Sequence, residues 1–224
     1  MDKQIYIIRG HTGESYDTFA DRIASLSIHV LENVDPHALW YTLTRESPPR
    51  ISVIPFGRKK IAAISLIKSD PSPLSWLLAD ASCSGAYLVE EALPVSYSQT
   101  RPEGEITPGA CLLTLFSRRK GLDRKTFLDR WHNSHTPMSL RFHPLWNYNR
   151  NVVLQILTTS SERFEGIVEE QTRTRSELLN PFQFFGPPYL ILQRMLMVYK
   201  DTRSFLDYGT METYLVEEHV IKMG

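Results

Sequence analysis

Only two of the 224 residues are cysteines, Cys83 and Cys111, and they form no CxxC pair and have no third ligand-like neighbour. A disulfide framework and a thiolate metal site are therefore not expected, and two reduced thiols suit a cytoplasmic setting. Net charge is lacking too, because 25 Lys and Arg offset 25 Asp and Glu. Without a summed field, neither nucleic acid nor an anionic membrane surface is an expected partner. No run reaches the roughly 18 apolar residues of a membrane span. The N-terminal Met1-Asp2-Lys3-Gln4 carries neither a sustained apolar stretch nor a small-residue cleavage site, so no secretory signal is expected. GxGxxG, GxxxxGKS/T, GxSxG and HExxH are also missing, which leaves nucleotide, phosphate, α/β-hydrolase and zinc-protease chemistry without motif support.

What is present is a duplication. TFADR at Thr18–Arg22 returns as TFLDR at Thr126–Arg130, and YLVEE at Tyr87–Glu91 returns unchanged at Tyr214–Glu218. Each first echo follows an apolar run (Gln4–Arg9 and Ala110–Ser117) and a turn with glycine (Gly13 and Gly121), which reads as strand, loop, helix in both places. The interval between echoes is longer in the second half, so that half carries an insertion, for which Pro181–Pro188 is the natural position.

In the first half the pattern predicts a helix over Ser15–Asn33 and a strand over Ala38–Thr44, then a further short strand at Ile51–Phe56. A strand at Lys60–Lys68, a helix within Ser72–Ser82 and a closing strand at Ala86–Tyr97 follow. In the second half it predicts a helix over Asp123–Ser134 and strands at Tyr148–Thr158 and Glu165–Glu169. A long helical stretch to Asp207 and a closing strand at Glu212–Lys222 complete it. Both halves read β-α-β-β-α-β, the order of a ferredoxin-like unit. The expected fold class is α+β: an N-terminal repeat over residues 1–98, a linker over 99–108 and a C-terminal repeat over 109–224. The bare sheet faces of the two halves would meet to form one barrel, with a ligand cavity between the sheets.

The halves diverge most after the repeated Asp-Arg, where the second continues Trp131-His132-Asn133-Ser134-His135-Thr136-Pro137. Trp131 and His135 share a helical face, and Pro137 is expected to end the helix near His135. A helix C-terminus favours a protonated imidazole, so His135 is the candidate general acid/base and also a candidate cap. His132 reads as a solvated helix residue. The spacing of His132, His135 and His143 lacks a matching carboxylate, so no metal is expected. Trp131, His143, Tyr148 and Asn149 are candidate substrate-binding residues. Tyr148 and Asn149 point to opposite strand faces, so only one of them can face a given cavity. Phe182, Phe184, Phe185 and Tyr189 are expected to plug or cover the barrel mouth.

Phe127, Trp131, His135, Thr136, Pro137, Tyr148 and Asn151, followed by Phe164-Glu165-Gly166-Ile167, resemble the EthD family, named for ethyl tert-butyl ether degradation. The resemblance covers about Cys111–Val220. It implies the dimeric α+β barrel superfamily and, for members associated with aromatic polyketide tailoring, decarboxylase or dehydratase activity. Together these readings point to a cofactor-independent lyase or isomerase acting on a small apolar or aromatic carbonyl compound. The alternatives are a non-catalytic binder of hydrophobic ligands and a cofactor-free monooxygenase. No cofactor is expected, and a homodimer is the expected assembly.

Overall fold

The computed structural model describes residues 1–97, 103–158 and 162–224. In the first half β1 (Asp2–Arg9) leads through α1 (Tyr16–Val34) to β2 (Ala38–Leu43), then β3 (Ile61–Lys68), the short α2 (Ser75–Leu78) and β4 (Cys83–Val95). In the second, β5 (Ala110–Phe116) leads into α3 (Arg124–Asp129), a π-helical turn (Arg130–His135) and α4 (Thr136–Phe142). β6 (Leu145–Ile156) and β7 (Gly166–Thr172) follow, then α5 (Arg175–Leu179), α6 (Pro181–Phe184), α7 (Pro188–Phe205) and β8 (Glu212–Lys222). Residues 98–102, the last of the expected N-terminal repeat and the first four of the expected linker, lie outside the described residues. No helix among the described residues is long and apolar enough to cross a membrane.

All eight strands close into one antiparallel barrel in the order β1-β3-β2-β8-β5-β7-β6-β4. The first four strands lie as β4-β1-β3-β2 and the second four as β8-β5-β7-β6, so β2 pairs with β8 and β4 with β6. Closure pairs every strand on both sides, which removes the exposed edges that invite aggregation.

Strand alternation decides what fills the barrel. Ile5, Ile7, Ile61, Ala63, Tyr87, Leu113, Leu115 and Ile167 point inward and pack into one buried cluster. An eight-stranded barrel is only wide enough to be filled by side chains or to hold one small ligand. The cavity expected between the sheets is therefore taken up by aliphatic and aromatic side chains over this half of the lumen. Arg9 ties one barrel end together, reaching Glu162 at 3.0 Å, Glu212 at 2.9 Å and the Tyr214 hydroxyl at 2.9 Å.

Outward-facing residues meet the helices. α1 starts at Ser15, whose hydroxyl accepts from the Thr18 amide, and buries Phe19, Ile23 and Val30 at helical spacing. These pack on Tyr6, Ile8, Ile64 and Leu66. In the second half Phe116, Val152 and Val168 lie under Phe127, Trp131 and Phe205, while Leu112 and Leu215 lie under Leu178, Phe184 and Phe185.

Three local expectations are corrected. Ile51–Phe56 forms no strand, because Pro48, Pro49 and Pro55 interrupt the donors a ladder needs; the segment instead lies over the second-half helical layer, with Ile54 buried there. The helix expected within Ser72–Ser82 shrinks to Ser75–Leu78, with Pro71 and Pro73 before it and no side-chain cap at Leu74. The long helical stretch before β8 divides into three helices at Asn180-Pro181 and Gly186-Pro187-Pro188.

Candidate functional site

Helix geometry around His135 departs from the expectation in a way that matters. Pro137 does not end the helix; the chain runs on to Phe142. Proline lacks a donor and its ring crowds the carbonyl four residues back, but it is tolerated in a first turn. The π turn over Arg130–His135 makes this possible: the Thr136 amide bonds five residues back to the Trp131 carbonyl, and Pro137 falls at the start of α4. His135 is consequently held inside a continuous helical segment rather than capping a frayed end. Such single π turns recur at functional sites because they re-aim side chains.

Trp131 is placed by contact with Phe116 (centroids 4.8 Å apart) and Phe127 (5.6 Å). Beneath it lies Gly166, where an added Cβ would sit 2.5 Å from the Phe116 ring and 2.8 Å from Trp131. The glycine of the Phe164-Glu165-Gly166-Ile167 segment therefore has a steric reason: only a residue without Cβ lets the Phe116 and Trp131 rings approach β7 this closely.

Between the outer face of the second-half sheet and its helices is a cavity of about 370 Å³, within the ~300–1,000 Å³ of small-molecule sites. Leu112, Phe116, Val168, Met195, Val198 and Phe205 give it an apolar wall. His135, Ser139, His143, Tyr148 and Glu170 supply polar groups. The site is thus on the opposite side of the sheet from the expected lumen position.

Four of the five candidate residues line this cavity: Trp131, His135, His143 and Tyr148. Asn149 does not. It points the other way into the barrel, where it contacts Lys3 and Glu91. Phe184 and Phe185 also line the cavity rather than a barrel mouth, while Phe182 and Tyr189 are exposed.

His135 Nδ1 lies 2.9 Å from Asp201 Oδ2 on α7, and Nε2 lies 3.2 Å from Ser139 Oγ. A carboxylate only accepts, so the Nδ1 proton faces Asp201, and in the neutral ring the Ser139 hydroxyl donates to Nε2. Burial would raise the Asp201 carboxyl, but hydrogen bonds from His135 and from Ser134 (2.5 Å) outweigh it and hold Asp201 below its usual range. Asp201 is therefore a fixed anion behind the imidazole.

Glu170 faces the same cavity from β7. Burial pushes its carboxyl up to about 7, opposed by the nearby His135. Burial and this carboxylate raise the Tyr148 phenol, leaving it a neutral hydroxyl. His143 is stacked on Phe184 (3.9 Å) with Nδ1 3.1 Å from the Phe184 carbonyl, and burial lowers it to about 4. It is a neutral wall residue. His132 is not the solvated residue expected: it is half-buried against Trp131 and lowered to about 4, first by burial and then by Arg150.

Asp201, Glu170 and Ser139 were not legible as site residues. Asp201 is remote in sequence from His135, and Glu170 sits in the polar-looking run Glu169-Glu170-Gln171. The available signal was that this run continues directly from Ile167-Val168 as a strand.

No family model matches the chain, and no curated protein matches it. Solved structures do. An anthrone oxidase-like protein superposes with a TM-score of 0.62 at 9% identity, over 98% of this chain and 93% of that one. A candidate monooxygenase from Lactobacillus acidophilus NCFM superposes with a TM-score of 0.52 at 6% identity, over 99% of this chain and 98% of that one. At such identities the likeness establishes a shared fold, the α+β barrel, along nearly the whole chain.

Proposed function

We propose that this chain is a cofactor-independent oxygenase for a small aromatic carbonyl compound, with His135 as the base. The observation that carries the reading is the Asp201–His135–Ser139 line in the wall of an apolar cavity. Asp201 fixes the tautomer and stabilises the imidazolium, leaving Nε2 to take a proton. The monooxygenase and oxidase-like designations of the structural neighbours favour oxygenation over the lyase reading.

In the proposed reaction His135 Nε2 removes a proton from a carbon activated by the ring carbonyl, and the electron pair delocalises into an enolate. This electron-rich anion reduces dioxygen. The balance closes without another reductant: a CH₂ carbon and O₂ give C=O and water, with one oxygen atom in each product. The apolar wall suits both a fused aromatic substrate and dioxygen, and Trp131 and Tyr148 would flank the ring system.

Glu170 favours a second reading. A carboxyl raised to about 7 across from an imidazole base is an acid and base pair, as a dehydratase or isomerase uses. We further propose that the chain consists of two ferredoxin-like repeats over 1–98 and 109–224 and is kin to EthD proteins. The support is the matching strand order of the two halves and the packing of Trp131 and Phe116 around Gly166.

An oxygen electrode with anthrone as probe separates the readings. The oxygenase reading expects uptake above autoxidation, one O₂ per substrate, with isotopically labelled oxygen in both ketone and water and with uptake retained in Glu170→Gln. Conversion of anthrone to its enol tautomer without oxygen uptake, lost in Glu170→Gln, would establish the isomerase instead.

A further inference from the structure

Among the described residues, five polar side-chain atoms are buried inside the barrel without a protein hydrogen-bond partner: Trp40 Nε1, Ser65 Oγ, Asn151 Oδ1, Glu169 Oε2 and Gln171 Oε1. Their residues are all at least nine-tenths buried, and strand alternation turns all five inward. They are drawn from both halves of the chain, yet they converge. Trp40 and Ser65 are register partners on β2 and β3. The Thr42 hydroxyl of β2 lies 3.3 Å from Glu169 Oε1 of β7 across the lumen. Asn149, the register partner of Glu169, joins Lys3 and Glu91, and the Lys3 ammonium lies 4.5 Å from the Trp40 ring.

A single unpartnered buried polar group is costly, and five in one compartment would cost as much as the whole net stability of an ordinary domain. We propose that this polar half of the lumen is a second, enclosed binding compartment, whose ligand is a cluster of ordered water molecules bridging Trp40, Ser65, Asn151, Glu169 and Gln171.

The chemistry selects the ligand. Trp40 Nε1 only donates, whereas the Asn151 and Gln171 amide oxygens only accept. A cation cannot satisfy the first and an anion cannot satisfy the others. Water does both, and internal waters typically make about three such bonds. The charged groups around Glu169 fit the same picture. Burial first, with Glu218 and Glu91 adding and Lys3 opposing, pushes its carboxyl up to about 7. A protonated carboxyl donates and accepts, as a bridging water requires.

Water-¹⁷O relaxation dispersion on the intact protein counts long-lived internal waters. The wild type is expected to show a clear dispersion, and Ser65→Val, which replaces a hydroxyl in the chamber with methyl groups, is expected to reduce it. An atomic-resolution crystal structure keeps the test independent of that variant's folding. It is expected to show peaks within hydrogen-bond distance of Trp40 Nε1, Asn151 Oδ1 and Glu169 Oε2. No dispersion, an amplitude unchanged by Ser65→Val, side chains re-paired with each other, or density for a cation or organic molecule would each overturn the proposal.

Discussion

Replacing His135 with Ala is expected to lower turnover by ~10²–10⁴-fold, the usual worth of a positioned general base, while binding of an apolar aromatic ligand changes little. The ring contributes one polar edge to a cavity whose area is mostly Leu, Phe, Val and Met, so most of the binding surface survives. Asp201→Asn is expected to act in the same direction. An amide next to Nδ1 no longer demands a proton there, so Nε2 carries it more often and ceases to be a base. Ser139→Ala supplies the contrast. The 3.2 Å contact to Nε2 occupies the base in the resting protein, so removing the hydroxyl should leave turnover intact or raised. A collapse in Ser139→Ala comparable to that of His135→Ala would instead mark Ser139 as a nucleophile and the line as hydrolytic. Steady-state kinetics with parallel ligand titrations reads all three variants.

The second large effect is a pair of opposed titrations in stability. Burial raises Glu169 and Glu170 to about 7 from the ordinary 4.5. The folded state therefore holds their protons more tightly than the unfolded chain, and their contribution is lost as pH rises from about 4.5 to about 7. His143 does the reverse. Its lowered value, about 4 against the ordinary 6.5, means the unfolded chain binds the proton more readily, so stability from this group rises over about 4 to 6.5. The two trends mask each other in the wild type, and single variants unmask them. Glu170→Gln is expected to gain stability over the wild type by a few kcal/mol, in order of magnitude, between pH 5 and pH 8. His143→Gln is expected to lose its advantage over the same climb. Urea unfolding at several pH values measures both. A pH-independent difference between Glu170→Gln and wild type would mean that Glu170 is ionised and solvated in the fold.

Most of the strands were legible because they rest on apolar runs bounded by turn residues, and Glu212–Lys222 forms β8 as expected. Sequence periodicity did not reveal which side of the sheet holds the cavity. Both faces of β5 are apolar, with Leu113 and Leu115 inward and Leu112 and Phe116 outward, so the pattern is symmetric and only the helical layer breaks the tie. The path through Pro137 was misread for a related reason. Proline marks a helix end in the usual hydrogen-bond pattern, and a π turn shifts that pattern by one residue without any local signature. Asp201 reaches His135 through packing of α7 on the π turn, a tertiary contact that residue spacing does not encode. Glu170 was hidden because Glu in a polar run reads as surface, whereas here β6 and β5 flank it on both sides.

The central claim, that chemistry takes place between the second-half sheet and its helices at His135, is tested most directly by a crystal structure with anthraquinone, the ketone product of the probe substrate. The ring system is expected among Phe116, Trp131, Tyr148, Val168 and Met195, with one carbonyl carbon beside His135 Nε2, where the CH₂ carbon of the substrate loses its proton. Density for the ligand in the barrel lumen, or in the cavity with no carbonyl within reach of His135, would contradict the account.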